Sequence, residues 1–405
     1  MKFPIYMDHH ATTPVDPRVL EAMLPFFSER FGNAASRHHS FGWDAEGAVE
    51  EARREIAATI GAEAREIIFT SGATESDNLA LKGIADAYSG KGDHIVISRI
   101  EHKAVLDSAK RLESAGFKTT YVPVDSEGLI DPDDVKQALT DRTVLVSIMY
   151  ANNEIGTIQP VREIGALARE RGILFHTDAV QAIGRIPVNV NDDHVDLMSI
   201  TAHKIYGPKG IGALYVRQRS PRVRLTPMID GGGHERGLRS GTLPVPLVVG
   251  FARAMSLAVQ GMAEESSRMA LLRDRLKDII MNGLDEVYLN GSATKRLSNN
   301  LNLSFAYVEG EALLMGMKDV ALSSGPACTS SQVEPSYVLK AVGLGEELAH
   351  SSIRFGLGRF NTAEEVEYVG NKIVETVTRL RTISPLHELK KSHAADKTGK
   401  VKSST

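Results

Sequence analysis

Thr201-Ala-His-Lys204 sets a hydroxyl, an imidazole and a primary amine beside one another between two strand-like runs, and Asp178 lies upstream. A pyridoxal phosphate cofactor asks for such a set: an amine for a Schiff base, an acid that keeps the pyridine nitrogen protonated, and donors for the phosphate. Lys204, Asp178, Thr201 and His203 can fill those roles. A Lys beside a His is ordinarily a solvated surface pair. Here Asp196-Leu-Met-Ser-Ile200 reads as a buried strand entering the motif, and Ile205 to Val216 as a turn and strand leaving it, so Lys204 is no ordinary surface lysine.

Other stretches carry compatible chemistry. Thr70-Ser-Gly-Ala-Thr-Glu-Ser-Asp-Asn78 follows a strand and opens a helix, so free amides and the helix dipole would meet an anion at Ala73 and Thr74. A capped helix after a Gly turn is the plainer alternative. Glu101-His102 follows another strand, where a flat imidazole can stack on an aromatic cofactor or shuttle protons, or simply face solvent. Cys328 sits in small, polar, turn-forming surroundings, Ser323 to Ser331, unlike the apolar setting of a structural cysteine, and exposure makes thiolate chemistry possible. Arg354 interrupts a strand-like run, and either clamps a substrate carboxylate or makes a structural salt bridge. Gly231 to Thr242 is too Gly-rich for an element interior; it is a flexible surface loop, or it approaches a ligand or partner closely.

The elements that must position these residues follow a βαβ rhythm, which implies a mainly parallel sheet covered on both faces. Strands are expected at Glu66 to Phe69, His94 to Ser98, Lys118 to Pro123, Thr143 to Met149, Ile173 to His176, Leu197 to Ile200 and Gly212 to Val216. Asn152 and Asn153, Asp178, and His203 with Lys204 each follow a strand, and ligands of open α/β sheets lie outside the carboxyl ends of the strands. Ala45, Val49, Ala52, Ile56 and Ile60 share one helical face that stops at Gly61. One long helical stretch is expected from Val248 to about Met281, then strands at Ser298 to Ser304 and Ile353 to Leu357, and a capping box, Thr362-Ala-Glu-Glu365, opening a last helix. The fold class is α/β with a smaller α+β domain: 16–262 forms the large domain, 1–15 with 263–385 the small one, and 386–405 is expected to be disordered.

The chain has 405 residues, 42% of them hydrophobic, enough for two cores, and its net charge of −4 with mixed signs lacks the basic footprint of a nucleic-acid binder. No direct nucleic-acid ligand is expected. No apolar run has the length of a membrane span, and the first residues lack a secretory core, so the reading is cytoplasmic with no membrane partner. One cysteine excludes intramolecular disulfides and Cys-rich metal sites.

These motifs resemble the cysteine desulfurases of the NifS/IscS type, fold-type I pyridoxal phosphate enzymes. The markers, between about Lys2 and Pro385, are Ala11-Thr-Thr-Pro14, Thr70 to Asn78, Glu101-His-Lys-Ala-Val105, Asn152-Asn-Glu-Ile-Gly156, His203 to Gly210, Gly231 to Thr242 and Ser324-Gly-Pro-Ala-Cys328. The resemblance implies that Lys204 carries the cofactor, Asp178 meets its pyridinium nitrogen, Gln181 its phenolate oxygen, and His102 its ring face. Ala73, Thr74, Thr201 and His203 hold the phosphate, and Thr242 reaches the same group in the partner of a homodimer. Asn153, which also borders the cofactor, and Arg354 bind the carboxylate of L-cysteine, and Cys328 is the nucleophile that leaves with a persulfide. The implied role is to supply sulfur to an iron–sulfur scaffold protein and other acceptors, tRNA thiolation among them. No resident metal is implied, and Cys328 becomes a transient ligand of a 2Fe–2S cluster. An aminotransferase or selenocysteine lyase would share Lys204 and Asp178, and a non-catalytic docking partner would keep only the fold. Three features depart from the pattern: Pro326 beside the nucleophile, His9 and His10 before Ala11, and the sequence after Pro385. Adjacent histidines on an extended chain point to opposite sides, which disfavours a metal site at His9 and His10.

Overall fold

The computed structural model describes residues 1–324, 335–385, 387 and 388. After a short strand β1 (Ile5–Tyr6), seven strands form the main sheet: β2 (Ile67–Thr70), β3 (His94–Ser98), β4 (Lys118–Val122), β5 (Thr143–Ser147), β6 (Leu174–Asp178), β7 (Leu197–Thr201) and β8 (Gly212–Val216). Their order is β2-β8-β7-β6-β5-β3-β4. The five strands from β7 to β4 run parallel, and β8 lies antiparallel to both its neighbours. The expected strands therefore form, with ends displaced by a residue or two; Pro123, for instance, lies just beyond β4.

Alternation assigns each strand's residues to two opposite cores. Val96, Val146, Phe175 and Met198 enter one core, and their neighbours Ile95, Ile97, Leu145, Leu174 and Leu197 enter the other. The helices Ser40–Thr59 and Val245–Gln260 cover the first face, and the helices Ala73–Ala87 and Lys103–Ser114 cover the second. Central strands covered on both sides are buried throughout, whereas the edge strand β4 exposes Lys118 and half-buries Thr119, Thr120 and Tyr121. On Ser40–Thr59 the predicted face is realised: Ala45, Val49, Ala52 and Ile56 are buried, and Gly61 follows in the left-handed region at φ 72°.

The long helix expected from Val248 to Met281 is instead two, Val245–Gln260 and Met262–Gly283, bent by 70° at Gly261. The physical reason is a change of core. Val248, Phe251 and Met255 pack on the main sheet, while Met269, Leu272, Leu276 and Ile280 pack with Ile5, Met7, Leu303, Phe355, Val369 and Ile373. No straight helix points its stripe at both. The second core is built on β9 (Val287–Leu289), β10 (Asn300–Phe305), β11 (Val320–Ala321) and β12 (Ser352–Gly356), with β12-β10-β9 antiparallel and β1 pairing with β11. The helix Ala363–Thr382 closes it, its capping box made as expected, with Thr362 Oγ1 accepting from Glu365 N at 3.3 Å and Glu365 Oε2 from Thr362 N at 3.2 Å. The strands β1, β9 and β11 leave no signal in the sequence because each has only two or three residues, too few for a pattern. No single helix among the described residues is long and apolar enough to cross a membrane. Pro326, Cys328 and nearly all of 386–405 lie outside the described residues, so the expectations set on them have no structural account.

Candidate active site

A cavity of about 470 Å³ opens at the carboxyl ends of β6 and β7, and Ala73, Thr74, His102, Asn153, Asp178, Gln181, Thr201, His203, Lys204 and Arg354 all line it. Thr242 does not line this cavity of its own chain and is exposed. Convergence follows from topology: Asp178 and Thr201 end adjacent parallel strands, and Lys204 ends the short turn Ala202–Lys204 that leaves β7.

One end of the cavity is made by the start of the helix Ala73–Ala87. Its N-cap is Gly72, at φ 153°, and no side chain caps it, so the first-turn amides and the dipole face the cavity. Gly72 also lies tight against β8, where a Cβ on Gly212 would come within 2.7 Å of the Gly72 Cα. Behind this turn the Ser71 amide donates to Glu75 Oε2 at 2.8 Å, and Arg239 Nε donates to Glu75 Oε1 at 2.9 Å, which steadies the loop. Thr201 Oγ1 donates to the Ile211 carbonyl at 3.2 Å and His203 Nδ1 meets Thr12 Oγ1 at 3.2 Å. Burial, then the charges of Lys204 and Lys209, hold the His203 ring down to about 4.

At the other end, the Lys204 amine donates to the Ala11 carbonyl at 2.8 Å and to the His10 carbonyl. Asp178 is buried, with Oδ1 accepting from Val180 N at 2.9 Å; burial raises its carboxyl, and the nearby His102 opposes that rise. His102 caps the helix Lys103–Ser114, its Nδ1 accepting from Ala104 N at 3.2 Å, which leaves Nε2 to carry the ring proton. Burial lowers its proton affinity and Asp178 pulls the other way. Beneath Asp178, on the same sheet face, Asp77 is buried 3.7 Å from His176 Nε2; burial and then Asp178 push its carboxyl up, and a hydrogen bond with Ser199 opposes them. Nothing local in the sequence marks Asp77 as an acid buried on a helix.

Arg354 makes the salt bridge of one sequence reading and also stands in the cavity wall. It is 1% exposed, its Nη2 donates to Asp8 Oδ1 at 2.8 Å and its Nη1 to the Asn153 carbonyl at 2.9 Å, yet it lines the cavity and its Nε has no partner. The Asn153 Oδ1 is likewise buried and unpaired. His10 and Tyr337 are among the lining residues that no sequence motif marks as part of a site. The two histidines do take separate partners, His9 Nδ1 meeting the Gly356 carbonyl and His10 Nδ1 meeting Gln181 Oε1, each at 2.9 Å.

Cys328 lies outside the described residues, but both flanks of its segment reach the cavity wall. The Ser323 carbonyl accepts from Arg354 N at 2.7 Å, and Tyr337, which lines the cavity, follows the helix cap Ser336. The polar set fits pyridoxal phosphate: an uncapped helix start for the phosphate, a buried acid for the ring nitrogen, a half-buried imidazole, an amine at the strand end, and beside them the Arg354 Nε donor and the Asn153 side-chain amide.

The model of the class-V aminotransferases matches residues 5–369. The cysteine desulfurase IscS of Anaeromyxobacter sp. (strain Fw109-5) is 60% identical over 391 residues, covering 96% of each chain. A solved NifS-like protein superposes with a TM-score of 0.86 at 41% identity, over 93% of this chain and 100% of that one. A structure described as SspA in complex with cysteine gives 0.79 at 39% identity, over 88% and 100%.

Proposed function

We infer that this chain, which belongs to the class-V aminotransferase family and within it to the cysteine desulfurases, is a pyridoxal phosphate-dependent enzyme that converts L-cysteine to L-alanine. The carrying observation is that Lys204, Asp178, His102 and Arg354, brought from β6, β7, β12 and a helix cap, line one cavity. When bound, the cofactor supplies an electron sink for the carbanion left by loss of the Cα proton. Ala73, Thr74, Thr201 and His203 hold its phosphate, Asp178 its ring nitrogen, Gln181 its ring oxygen, and His102 its face.

Arg354 and Asn153 bind the substrate carboxylate, with Asp8 keeping the guanidinium in register at 2.8 Å. Lys204 carries the cofactor and, once its amine is released, takes the Cα proton; the carbonyls of His10 and Ala11 hold that amine close by. Cys328 supplies a thiolate to the substrate sulfur, so that an S–S bond forms as the substrate's C–S bond breaks. The electron pair of the broken bond stays with the carbon fragment, which takes up protons and leaves as alanine. Cysteine and one enzyme thiol thus become alanine and one enzyme persulfide, with no external oxidant.

The persulfide serves an iron–sulfur scaffold protein and other acceptors, tRNA thiolation included, with Cys328 a transient ligand of a 2Fe–2S cluster. A homodimer is part of the reading: Thr242 is exposed and absent from its own chain's cavity, which suits a residue that completes the partner's site. The chain divides into a cofactor-binding unit over 16–262 and a second unit from 1–15 and 263–385. A cytoplasmic setting keeps the single thiol reduced.

The test is mass spectrometry and product analysis after exposure of the holoenzyme to cysteine. Alanine with one added sulfur on Cys328 is expected. Transamination that depends on a keto acid, or alanine with Cys328 unmodified, would overturn the assignment.

A further inference from the structure

We propose that His10 is a positioning residue of the active site: its imidazole and its own carbonyl together clamp the Gln181 amide so that one amide N–H is left for the ring oxygen of the cofactor. The inference rests on the reading that the cavity holds pyridoxal phosphate with Gln181 at that oxygen. It adds a residue to which the chemistry has so far given no side-chain role.

The clamp has two points. His10 Nδ1 lies 2.9 Å from Gln181 Oε1, and Gln181 Nε2 lies 3.2 Å from the His10 carbonyl oxygen. A glutamine amide can ordinarily be turned over, exchanging its oxygen and nitrogen, and a neutral imidazole can move its proton from one nitrogen to the other. Here the backbone breaks both ambiguities. A carbonyl oxygen only accepts, so the group facing it must be the amide NH₂. The group facing His10 Nδ1 is then the amide oxygen, which also only accepts, so Nδ1 must carry the proton. Turning the amide over would set two acceptors against each other at the carbonyl. The geometry therefore fixes the amide orientation and the imidazole tautomer together.

The remaining ring nitrogen supports a functional reading. His10 is 1% exposed, and its Nε2, a bare acceptor in this tautomer, is buried with no hydrogen-bond partner. A buried acceptor left unpaired is uncommon and disfavours folding, so a histidine chosen for packing alone is a poor choice here. Burial first, then the charge of Arg354, lower the ring's affinity for a proton to about 3, so Nε2 stays bare at neutral pH. One N–H of the Gln181 amide is used at the His10 carbonyl, and the other is free to donate into the cavity that Gln181 lines with Lys204. The same His10 carbonyl accepts from the Lys204 amine. One residue thus sets both the cofactor's lysine and the amide at its ring oxygen.

A donor at the ring oxygen stabilises its anionic form and so sets the pH at which the cofactor's visible absorbance changes. The experiment is a spectrophotometric pH titration of the substrate-free holoenzyme as wild type, His10→Ala, His10→Asn, Gln181→Ala and His10→Ala with Gln181→Ala. The expected result is a midpoint raised by about one pH unit in His10→Ala, the scale of one hydrogen bond to a charged group. His10→Asn should return the midpoint, because its amide nitrogen can donate from about the place of Nδ1. Gln181→Ala should shift the midpoint as His10→Ala does, and the double variant should shift no further. A wild-type midpoint in His10→Ala, or shifts that add in the double variant, overturns the clamp. In the wild type itself, nitrogen NMR of labelled histidine should find His10 protonated on Nδ1, and a proton on Nε2 overturns the clamp without any variant. A wild-type protein that binds no chromophore would instead overturn the assignment of the cofactor.

Discussion

Two residues near Asp178 separate chemistry from folding. In the proposed mechanism Lys204 is the attachment amine and the base at once, so Lys204→Ala should lower alanine production at least ~10³-fold, while the proposed phosphate donors at Ala73, Thr74 and Thr201, which line the same cavity, still retain cofactor. Steady-state rates beside the cofactor content of the purified protein check this, and undiminished turnover would remove Lys204 from the mechanism. Glu101 acts on stability. It is fully buried, Oε1 accepts from Met149 N at 2.7 Å, and burial pushes its carboxyl up from 4.5 to about 8 against the opposing hydrogen bonds of Met149 and Ser98. Between those values the folded protein holds a proton that the unfolded chain has lost, so stability falls as pH rises through that window, by up to roughly 1.4 kcal/mol per pH unit from this group. Glu101→Gln should flatten that part of the profile and leave the protein more stable at pH ~8 than wild type, measured by denaturant unfolding from pH ~5 to ~8. A parallel pair of profiles would mean that Glu101 is ionised in the fold.

The first turn of the helix Ala73–Ala87 has one task, and the helix Ser40–Thr59 offers its control. Gly72 stands at φ 153° against Gly212, in a backbone region that side-chain-bearing residues rarely adopt. Gly72→Ala should cost about 1–3 kcal/mol and weaken cofactor binding, because the chain must move to relieve the strain and takes the free amides with it. Gly47, by contrast, is exposed in the interior of Ser40–Thr59, and a Cβ there meets nothing within 4 Å. Gly47→Ala should stabilise by about 0.5–1 kcal/mol with cofactor affinity unchanged. Thermal unfolding and cofactor titration of both variants decide it, and equal affinity in both would detach the cradle from Gly72. The break at Gly261 belongs to the same scale: it redirects the apolar stripe from the core of the main sheet to the second core.

For the whole molecule, the proposed homodimer makes each site depend on Thr242 of the other chain. Lys204→Ala and Thr242→Ala subunits, each inactive or nearly so alone, should recover up to about half of the wild-type activity per site pair when exchanged into a heterodimer, because one site then carries both lesions and the other none. No recovery in a verified heterodimer would return Thr242 to its own chain. Within one chain, local features are legible in the order of the residues. Apolar runs marked the seven strands of the main sheet, a 3.6-residue period marked the buried face of Ser40–Thr59, Thr362 and Glu365 marked a helix start, and polar residues at the end of β6 and after β5 and β7 marked the rim of the cavity. Spacing in the chain carries those signals because neighbouring residues share one element's geometry. Pairings between distant segments arise only in the folded chain: Asp8 with Arg354, His10 with Gln181, Asp77 beneath Asp178, and with them the turn of the chain at Gly261. These partners are brought together by strand order and by the passage of the N-terminal segment across β12, and no period in the sequence records which buried donor will face which acceptor.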